Sequence, residues 1–184
     1  MIYTQPKIVS DDFCKRLIAY FDSHTDQIRP TDTLAQQLFN GRDMEPYDVK
    51  DHELRRELEV LRTKATIKMS KLYDTELYLD YWDLVKWEEG QFMRMHADNV
   101  DEYRRPFGYC GWRSHSAILY LNQDCEGGET IFKNQQCRFF PETGKLLMFP
   151  AGYDYTHGVT KVESGTRYTI ALWFTEDEKK CMTR

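Results

Sequence analysis

No run of apolar residues in this chain approaches the ~20 needed to cross a bilayer as a helix, which excludes a transmembrane helix and leaves no reason to expect a membrane partner. The first residues, Met1 to Pro6, lack a basic stretch followed by an apolar one, so no secretory signal is read and a cytoplasmic location is expected. There is no Cys-X-X-Cys pair. The five cysteines, Cys14, Cys110, Cys125, Cys137 and Cys181, are odd in number and widely spaced, which fits neither a zinc cage nor a disulfide framework, and they are expected to be reduced thiols. Excess positive charge is also missing: 25 Lys and Arg stand against 30 Asp and Glu, a formal net charge of -5. That balance offers no broad attraction to nucleic acid, and no nucleic-acid partner is expected, although a local basic patch is compatible with it. Internal repeats and low-complexity tracts are absent.

What is present argues for a packed globule. The chain has 184 residues, of which 41% are hydrophobic and 14% aromatic, enough for one domain with a sizeable core. We read residues 1–184 as that single domain: a helical support over 1–75, a β-rich core over 76–174 and a charged, fraying tail over 175–184. Ser10 followed by Asp11 and Asp12 looks like a capped helix start, and Phe13, Cys14, Leu17, Ile18 and Phe21 recur at helical spacing, predicting a helix over 10–24. A second helix is predicted over 51–73, with Leu54, Leu58, Leu61, Ala65 and Leu72 on one stripe. Residues 28–46 show no clear period and are expected to wrap the surface. Strands are predicted at 77–86, 91–98, 114–121, 130–132, 138–140, 145–149, 155–162 and 167–174. Eight short strands behind two helices suggest an antiparallel sandwich or rolled barrel with helices buttressing one sheet.

The informative stretch is Trp87-Glu-Glu-Gly-Gln-Phe-Met-Arg-Met-His96-Ala-Asp98-Asn99. Side chains alternate faces along a strand, so His96 and Asp98 project together while Ala97 points away. Far downstream stands His157, with Arg167 ten residues beyond it. Two imidazoles and one carboxylate are the donor set that suits non-haem Fe(II), because it leaves coordination positions open for substrate chemistry and O2. Arg167, Thr169, Ala171 and Trp173 share one face of their strand, which aims the guanidinium inward, where it needs an anion. That anion is either the carboxylate of a bound organic acid or an Asp or Glu of the chain itself.

Residues 76–174 resemble the prolyl 4-hydroxylase-type branch of the 2-oxoglutarate and Fe(II)-dependent dioxygenases. The pieces that carry the resemblance are Trp87 to Asn99, Tyr120-Leu-Asn122, Gly127-Gly-Glu-Thr-Ile-Phe132, Gly144-Lys-Leu-Leu-Met-Phe149 and His157-Gly-Val continuing to Trp173, in that order. The resemblance implies a double-stranded β-helix, or distorted jelly roll. It implies Fe(II) on His96, Asp98 and His157, and 2-oxoglutarate anchored at its distal carboxylate by Arg167 and Tyr120. It further implies O2 as oxidant, release of succinate and CO2, ascorbate as a reductant, and hydroxylation of an aliphatic carbon, foremost a prolyl residue in a peptide or protein. Trp87 stands where the family often carries Tyr, which alters the pocket lining. A free amino acid or other small molecule is the alternative substrate, and a non-catalytic binding module on the same fold is the alternative class. The Arg-X-Asn-X-Thr-X-Arg stretch of AlkB-type demethylases and the Glu ligand of cupins are not found.

Other residues are weighed as follows. Arg94 shares the face of His96 and Asp98, at the mouth of the pocket or on a solvated rim. Residues 100–113, with Tyr103, Phe107 and Trp112, follow the first two candidate ligands directly and read as a substrate-contacting lid or as a variable connection packed on the barrel. Gly127 and Gly128 are expected to make a tight hairpin turn. His24, His52 and His115 are read as bystanders. Oligomeric state is not legible.

Overall fold

The computed structural model describes residues 1–30 and 42–182. Helix α1 (Asp11–Ser23) begins where Ser10 Oγ accepts the Phe13 amide at 3.1 Å. Helix α2 (His52–Tyr73) begins where Asp51 accepts the amides of Glu53 and Leu54 at 3.0 and 2.8 Å. Each cap satisfies donors that the first helical turn cannot, worth about 1 kcal/mol per helix. α1 buries Phe13, Cys14, Leu17, Tyr20 and Phe21. α2 buries Leu54, Leu58, Leu61, Ala65 and Met69. Leu72, expected on that stripe, is half-buried at the margin of the core, and Met69 takes the interior position.

Both stripes pack on a seven-stranded antiparallel sheet. Its members are β1 (Tyr3–Gln5), β2 (Arg29–Pro30), β3 (Arg42–Met44), β4 (Tyr78–Trp87), β6 (Arg113–Tyr120), β10 (Leu146–Pro150) and β13 (Arg167–Thr175), in the order β1-β10-β6-β13-β4-β3-β2. Alternation divides its side chains. Leu79, Trp82, Leu84, Leu119, Leu146, Met148, Ile170, Leu172 and Phe174 meet the helices. Val85, Trp87, Tyr120, Leu147, Phe149, Arg167 and Thr169 lie on the other face, toward a four-stranded sheet of β5 (Met93–His96), β11 (His157–Val159), β8 (Thr130–Phe132) and β9 (Cys137–Phe139), ordered β5-β11-β8-β9. A ribbon of β7 (Cys125–Gly127) and β12 (Val162–Gly165) joins them. Two facing antiparallel sheets backed by helices form the double-stranded β-helix expected from the sequence.

The structure corrects several details. The expected strand over 155–162 divides into β11 and β12, which pair with different partners. Within residues 28–46, 31–41 lie outside the described residues, but 42–44 form β3 on the edge of β4 with Met44 wholly buried, rather than wrapping the surface. Pairing with β4 gives its edge amides partners, which a solvated loop would not. Within the tail, Lys180 sits over the Trp112 ring at 4.1 Å and the Met182 amide donates to Leu79 O at 2.9 Å. Gly127 and Gly128 do adopt φ of +72° and +64°, yet β7 and β8 pair with different strands, so no hairpin forms there. Among the described residues no helix is long and apolar enough to cross a membrane.

Gly158 is needed for the close approach of β11 to β5. A Cβ on Gly158 of β11 would lie 2.8 Å from Met93 O and 2.9 Å from Met95 Sδ on β5. Gly158→Ala should therefore force the two strands apart and lower stability by about 1–3 kcal/mol. Gly152 has ordinary φ of -75° and nothing within 4 Å of an added Cβ. There the same change should be neutral or stabilise by about 0.4–1 kcal/mol. Urea unfolding of both variants checks the contrast.

Candidate active site

β11 pairs with β5 so that His157 is the register partner of His96. Asp98 follows β5 by two residues, with its amide donating to Ala151 O at 3.0 Å. His96 Nε2 is 3.3 Å from Asp98 Oδ1 and His157 Nε2 is 3.9 Å from Asp98 Oδ2. One ligand atom from each of the three residues falls within 4.8 Å of the others. Both rings are oriented from behind: Nδ1–H of His96 donates to Arg94 O at 2.9 Å and that of His157 to Tyr155 O at 3.1 Å. A carbonyl can only accept, so each Nδ1 carries a proton and each Nε2 turns its lone pair to the cluster, the tautomer a metal ligand requires.

The electrostatics agree. Burial alone would raise the Asp98 carboxyl, but the electrostatic pull of the His157 and His96 imidazoles and hydrogen bonds from His96 and Ser116 outweigh it and hold the group well below the usual carboxylate range. Burial drives His157 down to about 4 against the attraction of Asp98, so this imidazole is neutral near pH 7. For His96 burial also acts downward, yet Asp98 raises it on balance, and a cation in the cluster would take the place of that proton. Two imidazoles with Nε2 turned to the cluster and a firmly ionised carboxylate form a donor set that fits a divalent ion of the Fe(II) type.

Arg167 stands on the same barrel face at 1% exposure. Its guanidinium lies 5.0 Å from the Trp87 ring and 5.4 Å from the Tyr120 ring. Its hydrogen bonds are long, 3.5 Å to Thr169 Oγ1 and 3.4 Å to Thr130 Oγ1, and its Nε has no partner among the described residues. Among the described residues no carboxylate pairs with it. Burying a lone cation costs several kcal/mol unless an anion accompanies it, so this pocket fits the carboxylate of an organic acid. Tyr120, held protonated chiefly by burial, donates to Thr130 Oγ1 at 2.7 Å. Thr130 thereby accepts from both Tyr120 and Arg167 and keeps its own proton to donate. Trp87 closes the side of the pocket and donates Nε1–H toward Thr169 Oγ1 at 3.4 Å, so the aromatic departure at this position retains a polar contact. Gly128 backs the stem of Arg167, since a Cβ there would come within 2.8 Å of its Cδ. The pair read as a turn therefore also shapes the pocket.

Following that face along β13 leads from Arg167 through Thr169 and Ala171 to Trp173, the register partner of both Ser116 and Tyr81. Ser116 Oγ donates to Asp98 Oδ2 at 2.6 Å, which places the half-buried Trp173 beside the three-donor cluster. The Arg113 guanidinium covers the Trp173 ring at 4.7 Å and bonds Asp80 at 2.7 Å. Ser116, Thr130, Thr169, Trp173 and Arg113 were not singled out as site residues from the sequence. Period-two alternation from Tyr120 and Arg167 already carried the signal for Ser116, Thr169 and Trp173.

The remaining candidates divide. Arg94 is exposed, on the rim. Residues 99–113 form a self-braced loop: Asp101 accepts the amides of Tyr103 and Arg105, both at 2.9 Å, and Asn99 Nδ2 donates to Arg113 O at 2.7 Å across the base. Tyr103 is 70% exposed, and Phe107 stacks on Tyr109. Trp112 sits at the root of the loop, its indole N–H donating to Asp80 Oδ1 at 3.0 Å. Arg104 reaches from the loop over the Tyr153 ring at 4.3 Å, just before His157 in the chain. His115 packs against Tyr73, as expected of a bystander.

The chain is similar to known proteins in sequence and in fold. The 2OG-Fe(II) oxygenase superfamily pattern matches residues 81–175. Human prolyl 3-hydroxylase 2 is 37% identical over 95 residues, 45% of this chain and 13% of that protein. Chicken prolyl 3-hydroxylase 1 is 44% identical over 107 residues, 50% of this chain and 15% of that protein. The chain thus spans less than a fifth of the length of either relative. In overall fold it is similar to a Trichoplax adhaerens prolyl hydroxylase in complex with a hypoxia inducible factor peptide fragment (TM-score 0.75, 16% identity, 97% of this chain and 84% of that one). It is similar also to a Pseudomonas putida prolyl-4-hydroxylase (TM-score 0.72, 18% identity, 96% and 92%). With the family pattern covering the strands that bear His96, Asp98, His157 and Arg167, this chain belongs to the 2OG-Fe(II) oxygenase superfamily.

Proposed function

We propose that this dioxygenase hydroxylates a prolyl residue of a peptide or protein, with His96, Asp98 and His157 holding Fe(II) and Arg167 anchoring 2-oxoglutarate. The observation that carries the reading is the coexistence, on one barrel face, of a three-donor cluster and a buried guanidinium with no acidic partner among the described residues. The likeness of half the chain to prolyl 3-hydroxylases supports a prolyl substrate, without fixing which ring carbon is attacked. With Fe(II) held by His96, Asp98 and His157 and 2-oxoglutarate by Arg167, the pair would supply the oxidant, one oxygen of O2 going to succinate and the other to the C–H carbon as CO2 leaves.

The chain's own residues hold and select. Arg167 neutralises the distal carboxylate, and Thr130, with Tyr120 behind it, offers a hydroxyl to the same group. Phe132 and Phe149 flank His157 at ring distances of 5.5 and 4.6 Å and keep water from that side. The loop over 99–113 presents Tyr103 and Phe107 to substrate as a preformed rim rooted at Trp112. All five cysteines are unpaired, which supports a reducing, cytoplasmic setting with ascorbate among the available reductants.

His157→Ala should abolish turnover and weaken metal binding by at least ~100-fold, read by metal titration; unchanged affinity would contradict the assignment. Arg167→Ala should cost on the order of 2–5 kcal/mol in 2-oxoglutarate binding, measured by calorimetry without oxygen. Unchanged affinity there removes Arg167 from the role. Replacing Tyr103 and Phe107 together with Ala should depress peptide hydroxylation while metal and 2-oxoglutarate affinities and substrate-free succinate formation persist. If hydroxylation is normal in that variant, the loop is barrel structure alone.

A further inference from the structure

Asp98 lies beyond the end of β5, so no strand ladder fixes its side chain. Its backbone is pinned on both sides: the amide donates to Ala151 O at 3.0 Å, and the Cys110 thiol donates to its carbonyl at 3.3 Å. The remaining freedom is rotation of the carboxylate. Left free, either oxygen or both can face an ion held by the two imidazoles. Ser116 removes that freedom. It is 2% exposed, on a strand paired on both flanks, and its hydroxyl donates to Oδ2 at 2.6 Å. The other oxygen, Oδ1, faces His96 Nε2 at 3.3 Å, closer than Oδ2 stands to His157 Nε2 at 3.9 Å.

We propose that Ser116 is a positioning residue for the metal centre, engaging Oδ2 so that Asp98 presents a single oxygen, Oδ1, to the ion. The inference rests on the metal reading above and concerns how many positions the protein takes up. A carboxylate giving one oxygen leaves room for a chelating acid and for O2, whereas one giving both competes with them. A hydroxyl acting only as packing would leave the coordination indifferent to its loss.

The test uses Co(II) as a probe, whose ligand-field absorption reports coordination without turnover, in the wild-type chain, Ser116→Ala and Ser116→Thr. Ser116→Ala should weaken Co(II) by roughly 10–100-fold and change the intensity of its absorption, while Ser116→Thr, which restores a hydroxyl, should return both toward wild type. Metal-free melting curves of the variants distinguish lost positioning from lost folding: an Ala variant that melts like wild type with altered Co(II) absorption supports the role. Wild-type-like absorption and affinity in Ser116→Ala overturn it, as does a Thr variant that behaves like Ala. Failure of the wild-type chain to bind Co(II) overturns the metal centre and this inference together, which separates the two failures.

Discussion

The antiparallel pairing of β11 with β5 is the constraint on which the site depends. It brings His157 opposite His96, from segments remote in sequence, and leaves Asp98 just past the end of the ladder where it can turn between them. The pairing is tight because Gly158 lets the backbones approach. A one-residue slip would send His157 to the opposite face of its sheet, so the register is as much a part of the site as the donors themselves. The seven-stranded sheet, clamped by both helices, supplies the rigid wall against which the smaller sheet closes.

Two buried charges of opposite sign sit on that wall, and each is arranged differently. Asp98 is compensated locally by two imidazoles and a hydroxyl, enough to overcome the cost of burial and keep it ionised. Arg167 is not: its described contacts are aromatic faces and two long hydroxyl bonds. Aromatic faces offer about 1–2 kcal/mol to a desolvated cation, less than its desolvation costs. Under the proposed function, a dianionic acid would join both halves of this asymmetry, and the cost of leaving Arg167 unpaired would be recovered as affinity for that acid.

Much of this was legible in the sequence because it depends on period and spacing. Alternation aimed Arg167 inward and the cap at Ser10 marked the first helix start, whereas the strand expected over 91–98 ends at His96 and Asp98 reaches the cluster from just beyond it. What alternation cannot report is partner choice. The 155–162 run reads as one strand, but its halves pair with β8 and β7. β3 is legible only through β4, whose edge it covers, and the short β1 through β10. Gly128 reads as a turn until the stem of Arg167 is found against it, and Trp112 reads as a lid aromatic until Asp80, remote in sequence, is found holding its indole.

The central claim joins metal, acid and prolyl substrate in one reaction, and one isotope experiment addresses all three. The chain is incubated with Fe(II), 2-oxoglutarate, a proline-rich peptide and isotope-labelled O2, and the peptide and succinate are weighed by mass spectrometry. The account predicts one labelled oxygen on a prolyl ring and one in succinate, formed in equal amounts. Succinate formed without a labelled peptide would contradict the prolyl assignment, and an absence of labelled succinate would contradict the dioxygenase itself.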